Sequence, residues 1–174
     1  VTFTGSASTG KKLKAHPRLI EEAVPFNMEA DSLNCCVLGP DALPGSAEFE
    51  IFIKEVQREM TTKAGQKCTA VRRIIVPQAL VEDVQIALGK RLASTVIGDP
   101  NVEGVRMGSL AGAAQVKEVT EKVLELAKTQ EIVFGDLNNF EVKGADKNKG
   151  AFMSPILFLN NSPFKNQDCH NIEA

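Results

Sequence analysis

The chain has 174 residues, with 20 basic and 22 acidic side chains, a formal net charge of -2 and 43% apolar residues. That composition suits roughly one globular domain of about 100–200 residues, large enough to bury a core. It offers no basic excess for nucleic acid, no apolar run near the roughly 20 residues of a membrane-spanning helix, and nothing at the front that reads as a signal peptide.

Val1–Thr4 reads as a short strand interrupted by Gly5-Ser6, and Ser8 to about Ala15 as a helix that Pro17 stops. Ala23–Met28 and Leu33–Leu38 read as two strands. The second is nearly continuous in apolar residues, which predicts cover on both faces. Gly39-Pro40-Asp41 and Leu43-Pro44-Gly45 are turn chemistry. The strongest helix spans about Ala47 to Ala64, with Phe49, Phe52/Ile53, Val56 and Met60 on one stripe and Gly65 as terminator. Val71–Val76 is a strand stopped by Pro77. A helix with Leu80, Val84, Leu88 and Leu92 on one face follows, and Gly98-Asp99-Pro100 closes that unit. A third helix, about Ala113–Lys128, carries Val116, Val119, Val123 and Leu126. Glu131–Phe134 and Pro155–Leu159 are strands on either side of a segment rich in Asn, Lys and Gly. The alternation predicts an α/β domain with much parallel sheet.

The reactive side chains are few. Two histidines, His16 and His170, read as surface residues, and the four cysteines, Cys35, Cys36, Cys68 and Cys169, contain no Cys-x-x-Cys. No metal site is therefore expected, and the spacing suits reduced thiols in the cytoplasm. The absence of Trp and Tyr disfavours a stacking groove for single strands. Cys68 is the best nucleophile candidate. It follows Gly65 on a loop with Lys67, Arg72 and Arg73 nearby, and positive neighbours favour a thiolate. A small buried filler is the other reading of that thiol. Cys35 and Cys36 read as core packing, and Cys169 as an incidental thiol in a polar tail.

Glu29 ends a strand between Met28 and Ala30, beside Asp31. Desolvation there would raise its pKa toward that of a general base, although most strand-end glutamates are solvated. Gly5 to Gly10 joins a strand to a helix, so the segment is either a phosphate cradle on a helix N-terminus or a plain turn. Its G-x-x-x-x-G-K spacing imitates a P-loop, but Lys12 stands where magnesium needs Ser or Thr. Lys11–Lys14 reads as a solvated helix face and Asp146–Lys149 as an exposed turn.

Together these pieces resemble the aldehyde dehydrogenase superfamily in chain order. Val1–Ser6 with Gly10 resembles its strand–turn–helix cofactor motif, Glu29 falls where the family places its general base, and Gly65-Gln66-x-Cys68 is similar to the nucleophile motif. Gly98-Asp99-Pro100 with Gly108-x-Leu110 is similar to a structural motif, with Ser109 where Pro is common. Glu173-Ala174 resembles the start of the Glu-x-Phe-Gly-Pro segment whose glutamate holds the nicotinamide ribose. Asp31 and Ser32 depart from the two glycines usual after the base, and Lys67-Cys68-Thr69 from the usual nucleophile surroundings. Met28–Leu38 and Glu59–Ala70 are most similar to the dehydrogenase half of the bifunctional proteins of phenylacetic acid degradation. The semialdehyde dehydrogenases of the benzoyl-CoA pathway come second.

The resemblance implies an aldehyde dehydrogenase-like α/β fold. Residues 1–38 would end the NAD(P)-binding domain, and 39–174 would form a catalytic domain incomplete at its C-terminus, the chain being a fragment. It implies a Cys68 thioester, water activated by Glu29, and NADP+ (or NAD+) held with the help of Gly5, Ser6, Gly10 and Glu173. The implied substrate is a CoA-linked semialdehyde, 3-oxo-5,6-dehydrosuberyl-CoA semialdehyde in the first family. The implied setting is a cytoplasmic homo-oligomer with a MaoC-like hydratase domain downstream. The rival readings are a P-loop-like nucleotide binder, a CoA-acylating dehydrogenase and a non-catalytic piece.

Overall fold

Asn27–Ala30 (β2) lies parallel to Thr2–Gly5 (β1), with Thr4 opposite Glu29 and Gly5 opposite Ala30. Parallel strands need a crossover, and two short helices, Ala7–Lys14 (α1) and Pro17–Glu21 (α2), supply it. The structure, a computed structural model, describes residues 1–165. It falls into two compact units, Val1–Ser32 and a larger one from Leu33 onward.

In the first unit, Ser6 caps α1 by accepting the Thr9 N–H at 3.4 Å. Gly10 is helical and buried, and a Cβ there would come within 3.0 Å of Met28 Cγ and 3.1 Å of Phe3 Cδ1. The glycine is therefore required for α1 to lie against both strands. Pro17 does end the first helical run, but it also begins a second helix that periodicity alone did not reveal. At the first helical position its missing N–H costs nothing, and His16 caps the helix with Nδ1 accepting the Arg18 N–H at 3.3 Å. Ala23, left-handed at φ 48°, closes α2, with the Val24 N–H on the Leu19 carbonyl at 2.9 Å. That turn delays the strand expected at Ala23–Met28 until Asn27.

In the second unit, Ala47–Thr61 (α3) and Val81–Ala93 (α4) build the core. Ser46 starts α3 by accepting the Phe49 N–H at 3.2 Å, with Glu48 and Glu50 in the first turn where the helix dipole favours them. Phe49, Phe52, Ile53 and Val56 bury against Leu80, Val84, Leu88 and Leu92, as the helical spacing predicts. Gln57 on α3 donates to the Arg91 carbonyl at 3.2 Å and to Thr95 Oγ1 at 3.1 Å, fixing the end of α4.

Cys35–Val37 (β3) pairs in parallel with Arg73–Ile75 (β4). Cys36 and Ile74 pack against the helical core, whereas the register partners Val37 and Ile75 are 63% and 54% exposed. Among the described residues the apolar run is thus covered on one face only. Side chains alternate along a strand, so Cys35 points away with Val37 and is exposed rather than core packing.

Ala113–Leu126 (α5) buries only Val123 fully, while Val116, Val119 and Leu126 are half-buried. Glu131–Phe134 (β5) and Leu157–Leu159 (β6) are antiparallel, unlike the β1–β2 and β3–β4 pairs, which are parallel as the alternation predicts. The segment between them contains no helix to make a parallel crossover. Gly98 bridges to Lys143, whose backbone leaves no room for a Cβ. Among the described residues no helix is long and apolar enough to cross a membrane.

Leu88 has no exposed surface. Leu88→Ala is expected to destabilise the fold by about 2–5 kcal/mol, read as a lower denaturant midpoint with an unchanged slope.

Candidate active site

Helix α3 stops at Thr61, and the next turn carries three successive left-handed residues, Lys63 (φ 54°), Ala64 (φ 53°) and Gly65 (φ 74°). Only glycine is at ease there; each of the other two costs on the order of 1 kcal/mol and persists where its surroundings over-determine it. The surroundings are specific. Gln66 Nε2 donates to the Lys63 carbonyl at 2.9 Å, and Arg72 Nη2 donates to the Gly65 carbonyl at 3.0 Å. Gln66 also docks the loop onto a neighbouring segment, with Oε1 accepting the Ala111 N–H at 2.7 Å and Nε2 donating to the Ser109 carbonyl at 3.4 Å. Cys68, next along this held loop, is exposed.

The other side of Cys68 is held by a residue that sequence reasoning missed. Asn34 Nδ2 donates to the Cys68 carbonyl at 2.6 Å and to the Ala70 carbonyl at 3.3 Å. Its own carbonyl accepts the N–H groups of Arg72 at 2.9 Å and Arg73 at 3.2 Å. The available signal was an amide at the head of an otherwise apolar strand run.

The cationic surroundings expected for Cys68 are reduced. Lys67 Nζ lies 2.7 Å from Glu59 Oε1, and these side chains are only 22% and 14% exposed. A half-buried ammonium needs a counter-charge, and Glu59, near the end of α3, supplies it. Arg72 is engaged with the Gly65 carbonyl. Arg72 keeps its charge in that contact, so the reduction comes from the pairing of Lys67 alone. Burial pushes the Cys36 thiol up, the neighbouring Cys35 adds to that, and a backbone hydrogen bond from Val37 opposes it.

The first unit carries Gly5, Ser6, Gly10 and Glu29. Glu29 is exposed, with Met28 and Ala30 half-buried. Alternation turns its apolar neighbours away, so they do not desolvate it as the sequence suggested. Asp31, left-handed at φ 55°, accepts the Ala7 N–H at 3.0 Å. Ser8, Thr9 and Gly10 are already helical, so no open P-loop surrounds a phosphate, correcting that rival. What the exposed turn offers is three clustered hydroxyls: Ser6 Oγ lies 3.2 Å from Ser8 Oγ and 3.0 Å from Thr9 Oγ1. Glu173, with Cys169 and His170, lies outside the described residues.

Residues 1–170 match the Aldehyde dehydrogenase family. A 3,4-dehydroadipyl-CoA semialdehyde dehydrogenase from Aromatoleum evansii is 41% identical over 174 residues, covering 100% of this chain and 34% of that protein. Among solved structures, an aldehyde dehydrogenase C mutant from Pseudomonas syringae with NAD+ and octanal aligns at a TM-score of 0.77 and 22% identity, over 94% of this chain and 32% of that one. Betaine aldehyde dehydrogenase from Staphylococcus aureus with NAD+ aligns at 0.78 and 21%, over 91% and 30%. The fold is the one these structures share, and the chain spans about a third of their length.

Two outcomes test the site geometry. Ala64→Gly is expected to stabilise the protein by up to about 1 kcal/mol, because relief of left-handed strain exceeds the added chain entropy; thermal unfolding would measure it. Labelling with a thiol reagent near neutral pH is expected to modify Cys35 and Cys68 well before Cys36, whose thiolate is disfavoured. Peptide mass analysis over time would give the order.

Proposed function

The chain belongs to the aldehyde dehydrogenase family, and on that premise we propose that it serves the NAD(P)-dependent oxidation of an aldehyde to a carboxylic acid through a thioester on Cys68. The observation that supports this most is the exposed Cys68 on a loop whose backbone is held on both sides. Its thiolate attacks the aldehyde carbon and forms a hemithioacetal. A bound nicotinamide dinucleotide supplies the acceptor for the hydride that leaves this carbon. Cys68 then carries the acyl group as a thioester. Glu29, exposed to solvent, takes a proton from the water that hydrolyses it. In this reading residues 1–38 end the cofactor-binding domain and residues 39–174 belong to the catalytic domain.

The turn at Gly5 and Ser6 fits a dinucleotide phosphate through its hydroxyl cluster. Gly10 lets α1 sit close enough to the strands to present that turn, and Glu173 takes the nicotinamide ribose by resemblance. NADP+ over NAD+ rests on the resemblance as well. So do a cytoplasmic setting, a homo-oligomer and a downstream hydratase domain.

For the substrate we propose a CoA-linked semialdehyde, a class named in the 41% identical relative. The resemblance favours 3-oxo-5,6-dehydrosuberyl-CoA semialdehyde from phenylacetate breakdown. The second reading is 3,4-dehydroadipyl-CoA semialdehyde, favoured by that relative's name.

In the intact protein, Cys68→Ala is expected to abolish aldehyde-dependent NAD(P)H formation. Glu29→Gln should leave one rapid turnover per site and slow the steady rate by roughly 10²–10⁴-fold. Full turnover by Cys68→Ala would overturn the assignment. Products measured with and without free CoA separate hydrolysis from acyl transfer to CoA.

A further inference from the structure

The ladder between β3 and β4 begins only at Cys35 and Arg73, yet the chain leaving the nucleophile, from Cys68 to Arg72, is fixed before it reaches that sheet. Asn34, just before the neighbouring strand, spans that stretch. The Asn34 carbonyl accepts the N–H groups of Arg72 and Arg73, and its side-chain nitrogen donates to the carbonyls of Cys68 and Ala70. The side chain thus continues the strand pairing past the edge of the sheet, with an amide standing in for a peptide group. A primary amide is the only small neutral side chain with two donors on one atom, and both are directed at the nucleophile loop.

We propose that Asn34 is a positioning residue for Cys68: its amide, bonded to the Cys68 and Ala70 carbonyls, sets the orientation of the thiol and keeps it reactive. The proposal rests on Cys68 being the nucleophile. Two physical consequences follow from the contact. The loop begins in the left-handed turn at Lys63–Gly65, and strain of that kind relaxes when its clamps are removed. A donor against the carbonyl of Cys68 also fixes the peptide plane from which the thiol-bearing residue departs. Aspartate at position 34 would have the same shape but, ionised, nothing to donate.

The test is the rate at which iodoacetamide alkylates Cys68 in the intact protein, followed by peptide mass across the neutral pH range, together with kcat and KM. Asn34→Ala is expected to slow alkylation and lower kcat by roughly 5–50-fold, the loss of two modest hydrogen bonds. The KM for the dinucleotide should stay within about twofold of the parent. Asn34→Asp is expected to react more slowly than Asn34→Ala despite its matching shape. Asn34→Ser, which keeps one donor, should fall between the alanine variant and the parent, and it carries the test if Asn34→Ala does not fold.

An unchanged alkylation rate in Asn34→Ala would overturn the proposal. So would a faster reaction in Asn34→Asp than in Asn34→Ala, as a role in packing alone requires. Alkylation does not depend on turnover, so failure here is distinct from failure of the catalytic reading, which Cys68→Ala decides.

Discussion

Three consecutive left-handed residues, Lys63, Ala64 and Gly65, turn the chain out of helix α3 and into the segment that presents Cys68. An isolated peptide would not hold that conformation, because two of the three residues carry a Cβ that opposes it. The surrounding hydrogen bonds exist on this condition. Gln66 and Arg72 hold the carbonyls inside the turn, and Asn34 holds those beyond it. The first two contacts are local, but Asn34 comes from a distant segment, as does Ala111, whose N–H Gln66 accepts. The loop is therefore formed only when the second unit is folded.

The base under the loop is rigid for ordinary reasons. Helix α3 is buried along Phe49, Phe52, Ile53 and Val56, and Gln57 ties it to the end of α4. Close-packed side chains leave little room for the helix to rotate, so the position of Thr61, where the turn starts, is set by the core. Electrostatics follow the same logic. Lys67 would add charge beside Cys68 if it were free, but half-burial demands a partner and Glu59 on α3 supplies one. The pairing joins the loop to the helix and removes much of the field that a bare count of cations suggests.

The first unit is a small β–α–β element in which pairing register sets what lies side by side. Parallel pairing sets Glu29 opposite Thr4, one residue from the Gly5–Ser6 turn. Gly10 allows α1 to lie against Phe3 and Met28, and Asp31 closes the helix start through the Ala7 N–H. A carboxylate near a helix N-terminus is favoured by the dipole. The contact ties the segment after Glu29 to the start of α1.

Much of this was legible in the residues alone. The stripes of α3 and α4 follow from three- and four-residue spacing, and both are buried as that spacing requires. The start of α3 near Ala47 and the exposed turn at Asp146 are local chemistry, set within a few residues. The helix itself stops at Thr61, short of the expected end at Ala64, because the left-handed turn takes over. The sequence also singled out Cys68, because a Gly-initiated loop flanked by polar groups is a local pattern. Other features depend on what packs against what: the open face of β3, the antiparallel pairing of β5 with β6, the pairing of Lys67 with Glu59 and the reach of Asn34 to Cys68. Residue spacing encodes periodicity and caps because both act over one or two turns. It does not encode which distant side chain meets a given carbonyl or charge, since burial and the pairing it compels arise only when separate segments come together.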